Sequence, residues 1–352
     1  MLDLEVTRRC NLRCDYCFVG WSRDWKSHLD YATAEAIVRE GAGRFDTFHV
    51  TGGEPLAWHG IFDLVDLAMS LGYRSTLINT NGTLLDDVAI ARLARHQGKV
   101  GLSISFDGPA ALHDPIRGEG NFARSDANLG RALAAGIPVT VMTVVTPAVL
   151  AVLPDFLVER HRSHPRIMGV TLFPVGVGPS GTHKPGASIR ELGPDDVKLL
   201  AAQVALAARA GLRVQVGAYP MINPLLRKLG YPEALLYQCT AGRGRVCVHA
   251  DLGVSSCHPV RQPIYGTWEP GLFDRIPGLE VHRRMGARDY DGCRTCPEQE
   301  RCGHCRAYVT ATVDDLFGND LVCHDVVPGR REAWTAAHGA PARPRRYLAV
   351  VR

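Results

Sequence analysis

The chain has 352 residues, 46% of them hydrophobic, which is enough for one large domain or two ordinary ones. Its 40 basic and 36 acidic side chains leave a net charge of +4, which gives no electrostatic case for binding nucleic acid or a membrane surface. No run of about 18 apolar residues is present, and the opening MLDLEVTRRC lacks the basic start and apolar core of a signal peptide; a cytoplasmic protein is expected.

Strand-like and helix-like segments alternate through the first half. Residues 2–7 read as a strand and 33–44 as a helix. The pairs 45–51 and 60–72, 73–80 and 84–97, 99–106 and 125–136, 137–145 and 148–163, and 167–175 and 194–211 repeat that order. Six such units with short connections predict a parallel α/β sheet covered by helices, two short of a closed eight-stranded barrel. Chemistry in such sheets lies at the carboxyl ends of the strands.

Beyond residue 211 the alternation stops. Residues 239–323 hold eight cysteines and few long helical runs, as expected of a segment that needs metal to supplement a small core. The expected domains are 1–225, a cysteine-rich 226–330 and a basic tail 331–352 that reads as a solvated terminus. Gly/Pro-rich loops at 176–194 and 217–232 mark the seams.

Eleven cysteines in a reducing compartment argue for metal rather than disulfides, and the odd count fits pairing poorly. Cys10, Cys14 and Cys17 follow the spacing C-x3-C-x2-C, and no further cysteine comes before Cys239. Spacing alone leaves three readings: a disulfide fragment, a zinc knuckle, or three corners of an iron–sulfur cluster with one iron open.

With Tyr16 and Phe18 beside Cys17, this stretch resembles the signature of the radical S-adenosylmethionine (SAM) superfamily. The resemblance implies a partial (βα)6 TIM-like barrel and a [4Fe–4S] cluster on Cys10, Cys14 and Cys17. Further motifs fall in the family's order at successive strand ends. TGGEP at 51–55 supplies Gly52 and Gly53 for close backbone approach, and Glu54 for the SAM ammonium. NTNG at 79–82 supplies Asn79 and Asn81. SISFDGP at 103–109 supplies Ser105 and Asp107 as SAM ligands. HDPIRG at 113–118 supplies Arg117 to clamp the SAM carboxylate. The implied chemistry is reductive cleavage of SAM to a 5′-deoxyadenosyl radical, which removes a hydrogen atom from the substrate.

The later cysteines resemble the SPASM extension of radical SAM enzymes, with two auxiliary [4Fe–4S] clusters. The resemblance assigns Cys239, Cys247, Cys257 and Cys305 to the first and Cys293, Cys296, Cys302 and Cys323 to the second. One set of three and two sets of four account for all eleven. The rival reading is a zinc ribbon over 293–305. Two departures stand out. C-G-H-C at 302–305 is one residue shorter than the usual spacing and places His304 beside Cys305, and Leu252 stands where the pattern has glycine. Cys247 lies in a strand-like stretch; if it is not a ligand, its thiol is open to substrate or to returning a hydrogen atom. His258, directly after Cys257, is a candidate base.

The resemblance points to the branch of anaerobic sulfatase-maturating and peptide-modifying enzymes. It implies oxidative modification, by cross-linking or dehydrogenation, of a ribosomally made peptide or protein. Nine residues before Cys10 are too few for a leader-binding domain, so a separate leader-binding protein is an expected partner, along with an electron donor such as flavodoxin or ferredoxin. The competing expectation is a dehydrogenase or epimerase of a sugar or aminocyclitol.

Overall fold

The computed structural model describes residues 1–17, 19, 27–175, 192–260, 262–290, 293, 296, 298–302, 305, 306, 317 and 323. The expectations at Phe18, His304 and the 331–352 tail lie outside these. The order is β1 (Leu2–Thr7), α1 (Tyr31–Gly41), β2 (Thr47–Gly52), α2 (Ile61–Ser70), β3 (Ser75–Thr80), α3 (Asp87–Ala94) and β4 (Val100–Ser105). Next come α4 (Ala110–Arg117), α5 (Asn121–Ala134), β5 (Val139–Val145), α6 (Pro147–Ser163), β6 (Gly169–Pro174), α7 (Pro194–Arg209) and β7 (Val214–Val216). The rest are α8 (Asn223–Lys228), β8 (Val246–Val248), β9 (Val254–Ser255), α9 (Leu272–Arg275), α10 (Glu280–Gly286) and α11 (Gln299–Cys302). Asp30, Asp86 and Thr146 cap α1, α3 and α6 through their side chains, each satisfying an amide that the first helical turn leaves open.

One sheet runs β7-β6-β5-β4-β3-β2-β1-β8-β9. Every pairing is parallel except β8 with β9. The six expected strands are all present, so the architecture is the parallel α/β sheet that the alternation predicted, and it matches the partial TIM-like barrel that the resemblance implied.

Side chains alternate across each strand, and registered neighbours share a face. One face carries Leu2, Leu4, Val6, Phe48, Val50, Ile78, Leu102, Ile104, Val139, Val141 and Leu172, all essentially buried in the main apolar core with residues of the helices. Tight packing of that layer shows at Gly41 of α1, where a Cβ would stand 2.7 Å from Leu2. The other face is polar. Across it, register sets Cys247 beside Asp3, Asp3 beside His49 and Glu5 beside Thr51. Further along, Asn79 sits beside Ser103 and Ser105 beside Met142.

Three features go beyond the expected elements. Helix α4 contains Pro115, a residue that reads as a helix breaker; only seven positions surround it, and Gly118 ends the helix at a φ of 102°. Strand β7 has three residues, too few to show a period. Strand β8, from within the cysteine-rich segment, lies parallel against β1. A tight turn leads from β8 to β9, with the His249 amide donating to Gly253 O at 2.9 Å. In that turn Leu252 has a φ of +67°. The backbone there does take the left-handed form that glycine favours, and leucine holds it at a cost of about 1–2 kcal/mol. Among the described residues no helix is long and apolar enough to cross a membrane.

Candidate active site at the carboxyl ends of the strands

The loop carrying Cys10, Cys14 and Cys17 leaves the end of β1 and is docked by its neighbours. The Gly53 amide donates to Thr7 O at 2.7 Å and the Glu54 amide to Arg9 O at 2.9 Å. A Cβ on Gly53 would stand 2.3 Å from Arg9 O, and one on Gly52 2.3 Å from Thr7 O. The glycines of TGGEP thus let β2 close on the cysteine loop itself. From the other side Asn81 Nδ2 donates to Asn11 Oδ1 at 2.9 Å and lies 3.9 Å from Cys10 Sγ. Cys10 Sγ also accepts from the Leu12 amide at 3.3 Å.

Glu54 is fully buried. Its carboxylate accepts from Thr80 Oγ1 at 2.8 Å, the Asn81 amide at 2.8 Å and the Leu56 amide at 3.0 Å. Burial pushes its carboxyl pKa up against these bonds. It is a strut between the turns after β2 and β3. Asn79 is half-exposed on the polar face, and Ser105 is buried there.

At the end of β4, Asp107 accepts from Tyr16 Oη and Arg117 Nε through one oxygen and from the Val144 amide at 3.1 Å through the other. Arg117 Nη2 also reaches Tyr16 Oη at 3.2 Å. Burial alone would raise the Asp107 pKa, but the Arg117 charge together with the hydrogen bonds from Arg117 and Tyr16 outweighs it and the carboxyl is held below its ordinary value. Arg117 joins the cysteine loop, β4 and α4 in one buried unit.

His113 of α4 is a further member. Its Nδ1 accepts from the Asp107 amide at 3.2 Å, so the ring is neutral there. Burial first, then Arg117, pushes its pKa from 6.5 down to about 4. Below pH 6.5 the unfolded chain takes up a proton that the folded chain refuses until about pH 4, so stability falls across that window as pH drops. Between pH 7 and pH 5 the wild type should lose about 1–2 kcal/mol more than His113→Gln, read by urea denaturation at each pH; parallel curves for the two proteins would refute the assignment.

No disulfide is formed among the described cysteines. Burial pushes Cys10 up to about 12 and Cys14 up to about 11. Neighbouring thiols of the loop add to both shifts, and Arg117 opposes the one at Cys14. Among the described residues, no three of His, Cys, Asp and Glu converge as a preformed single-ion site.

The later cysteines are spread over the C-terminal segment, Cys293 packing with Cys239 in one apolar cluster and Cys302, Cys305 and Cys323 in the main one. Cys257 is pushed up to about 12 by burial, with Arg245 opposing and the charges of Cys305 and Cys239 adding. The Cys296 amide donates to Cys293 O at 2.9 Å, and Cys302 ends α11. Cys293, Cys302 and Cys323 are buried. Cys247 stands on β8, fully buried, with its thiol 3.9 Å from His249 Nδ1.

Between the first cysteine loop and the later cysteines lies a buried network that the sequence reading missed. Glu5 is its hub. Its Oε1 accepts from Arg8 Nε at 2.8 Å. Its Oε2 faces His249 Nδ1 at 3.0 Å and His258 Nε2 at 3.4 Å. His258 Nδ1 faces Thr51 Oγ1 at 3.3 Å, and Arg8 Nη2 reaches Asp251 at 2.6 Å. Lower on the same face Asp3 joins His49 Nδ1 at 2.9 Å and Arg245 Nε at 2.6 Å. Carboxylates in a buried strand need such partners, so the two acids of LDLEVT were the available signal.

Residues 4–149 match the family profile described as the radical SAM superfamily. The AdoMet-dependent heme synthase of Oleidesulfovibrio alaskensis is 34% identical over 156 residues, which is 42% of this chain and 38% of that protein's length. The chain therefore spans well under half of that relative. The PqqA peptide cyclase of Gluconobacter oxydans is 28% identical over 331 residues, covering 91% of this chain and 88% of that protein. The solved structure of native anSMEcpe with bound AdoMet and Cp18Cys peptide superposes with a TM-score of 0.70 at 17% identity, covering 96% of this chain and 97% of that one; this likeness is one of fold. Members of the matched family use SAM and a [4Fe–4S] cluster. Residues 4–149 of the chain thus carry the domain that the radical SAM superfamily profile describes.

Proposed function

We propose that this enzyme oxidatively modifies a ribosomally made peptide or protein, by cross-linking or dehydrogenation, using SAM and three [4Fe–4S] clusters. The single observation that carries this is that His258, directly after Cys257, faces Glu5 of β1 and Thr51 of β2, which brings the later cysteine segment onto the carboxyl ends of the strands. The near-full-length likeness to a peptide cyclase supports it.

The donor chemistry fits the clusters. Three thiols share one docked loop, and a cluster with three protein thiolates keeps one iron for SAM. Cys239, Cys247, Cys257 and Cys305 form the first auxiliary set in this reading, and Cys293, Cys296, Cys302 and Cys323 the second. Seating the clusters removes protons from thiols that burial holds protonated. When bound, SAM and its cluster supply one-electron chemistry that abstracts a hydrogen atom.

The chain's own residues do the rest. Gly52, Gly53, Asn79, Asn81, Ser105 and Asp107 line the SAM side. Glu54 and Arg117 fix that wall, and Arg117 offers its guanidinium to the SAM carboxylate. His258, held by Thr51 and Glu5, accepts the proton that the oxidised substrate gives up. A peptide substrate, a separate leader-binding protein and a flavodoxin- or ferredoxin-type donor are the partners.

The test is anaerobic incubation of candidate precursor peptides with SAM and reductant, followed by mass spectrometry. Loss of a hydrogen pair from the peptide supports the reading; turnover of a sugar or aminocyclitol with every peptide untouched overturns it. Iron and sulfide near twelve of each per chain match full loading, and about eight would remove one auxiliary cluster. His258→Ala is expected to lower product formation about 10²-fold with cluster content intact; wild-type yield would end its role as base.

A further inference from the structure

The barrel interior is filled along one part of the sheet and open along the other. Every residue of β1 and the four central residues of β2 are buried, inward and outward alike. The inward charges there answer one another: Asp3 meets His49 and Arg245, and Glu5 meets Arg8, His249 and His258. In β3, β5, β6 and β7 buried and half-buried residues alternate instead. The buried set packs into the helical layer, and the half-buried set points to the interior.

This open wall carries no charge. Strands β3 to β7 hold no Asp, Glu, Lys, Arg or His at any position, and Asp107 and Arg117, beyond the end of β4, are paired with each other. Register lays Met142, Thr171 and Gln215 side by side across β5, β6 and β7. Toward the rim, Val144 and Phe173 form the next pair. A Cβ on Gly217, directly after β7, would stand 2.7 Å from Phe173 Cε1, so the missing side chain lets the Phe173 ring lie across the end of β7. Gln215 Nε2 donates to Leu235 O at 3.2 Å, which leaves Oε1 as the group that Gln215 offers inward. The wall is thus apolar at its mouth and carries a hydroxyl and an amide one row deeper.

We propose that this wall selects the side chain that is modified, admitting an uncharged one and rejecting Asp, Glu, Lys and Arg, with Met142, Thr171, Phe173 and Gln215 deciding the choice. The inference rests on the peptide reading above and names which residues of a peptide the enzyme acts on. A charged side chain that enters gives up water and meets no counter-charge on these five strands, a loss that one hydroxyl and one amide do not make good. The loss falls on either sign of charge, whereas a long-range field would favour one sign and oppose the other. An uncharged side chain gains contact with Met142 and Phe173 and gives up little water. A hydroxyl or amide at its tip finds Thr171 and Gln215 Oε1 as partners.

The experiment uses the full-length, cluster-loaded chain under anaerobic conditions. Thr171→Cys and, separately, Met142→Cys place a thiol on the wall. Each variant is treated with neutral, cationic and anionic methanethiosulfonates of matched size. Modification of that residue is followed by peptide mass spectrometry, and the urea-unfolded variant gives the intrinsic rates. Relative to the unfolded chain, the neutral reagent is expected to react about tenfold or more faster than either charged one. Adding Gln215→Glu should raise the cationic rate and not the anionic one. Equal relative rates for all three reagents overturn the proposal. So does suppression of one charge alone, which would mark a field and not desolvation. In a second arm the residue modified by the wild type is mapped in each precursor peptide; an uncharged residue supports the proposal, and a modified Asp, Glu, Lys or Arg overturns it. A wild-type enzyme that leaves every peptide unmodified counts against the proposed reaction alone, because the labelling is read without substrate.

Discussion

Replacing Cys14 by alanine is expected to bring SAM cleavage down to background. Cys14 is the middle cysteine of the loop, 7% exposed, and its thiol interacts with both Cys17 and Arg117. Losing it leaves two thiolates on the docked loop, too few to hold a cluster while presenting an iron to SAM. With the proposed loading of three clusters, iron should fall by about four per chain, to about eight, and the auxiliary signals in the electron paramagnetic resonance spectrum should stay intact. The check is 5′-deoxyadenosine formation under dithionite, with iron measured on the same sample. Undiminished 5′-deoxyadenosine would remove Cys14 from the SAM cluster. The fold should survive, because the loop is held by the Gly53, Glu54 and Asn81 contacts and not by the thiol.

The second large effect is expected at Asp107. Asp107→Ala removes the carboxylate shared by Tyr16, Arg117 and the Val144 amide. It leaves the Arg117 guanidinium, 9% exposed, without that counter-charge. Breaking one side of a buried pair costs about 3–5 kcal/mol, read here as the shift in chemical denaturation under anaerobic conditions. SAM affinity should fall with it, because the cysteine loop, the end of β4 and α4 meet at this carboxylate. Asp107→Asn keeps the shape and should cost less than the alanine. Equal stability of wild type and Asp107→Ala would show the pair to be dispensable.

The barrel was legible because its strands advertise themselves. VTVMTVV at β5 and LDLEVT at β1 alternate between the helical layer and the polar face, and each strand is followed by a helical period. The motifs at strand ends were legible for the same reason, since topology puts successive strand ends on one rim. What escaped depended on partners far away in the chain. Glu5 meets His249 across 244 positions, and no local pattern announces such a pair. Asp3 and Glu5 were visible as acids in a strand that ought to be buried, but nothing in the sequence said which cations or imidazoles would face them. Helix α4 was masked by Pro115, and β7 by having only three residues. At Leu252 the residue type pointed away from a left-handed turn, yet the backbone adopts one.

The pairing of β8 with β1 sets the order in which this chain can mature. During synthesis β1 emerges first, and on that side it remains an unprotected sheet edge until residues 246–248 have left the ribosome. Closing a loop of that length is slow, and exposed strand edges are where growing chains aggregate. A chain cut before β8 would strand Asp3 without Arg245 and Glu5 without His249 and His258 on that open edge. The domain over residues 4–149 and the cysteine-rich segment differ in composition, but they have to be expressed and purified as one polypeptide.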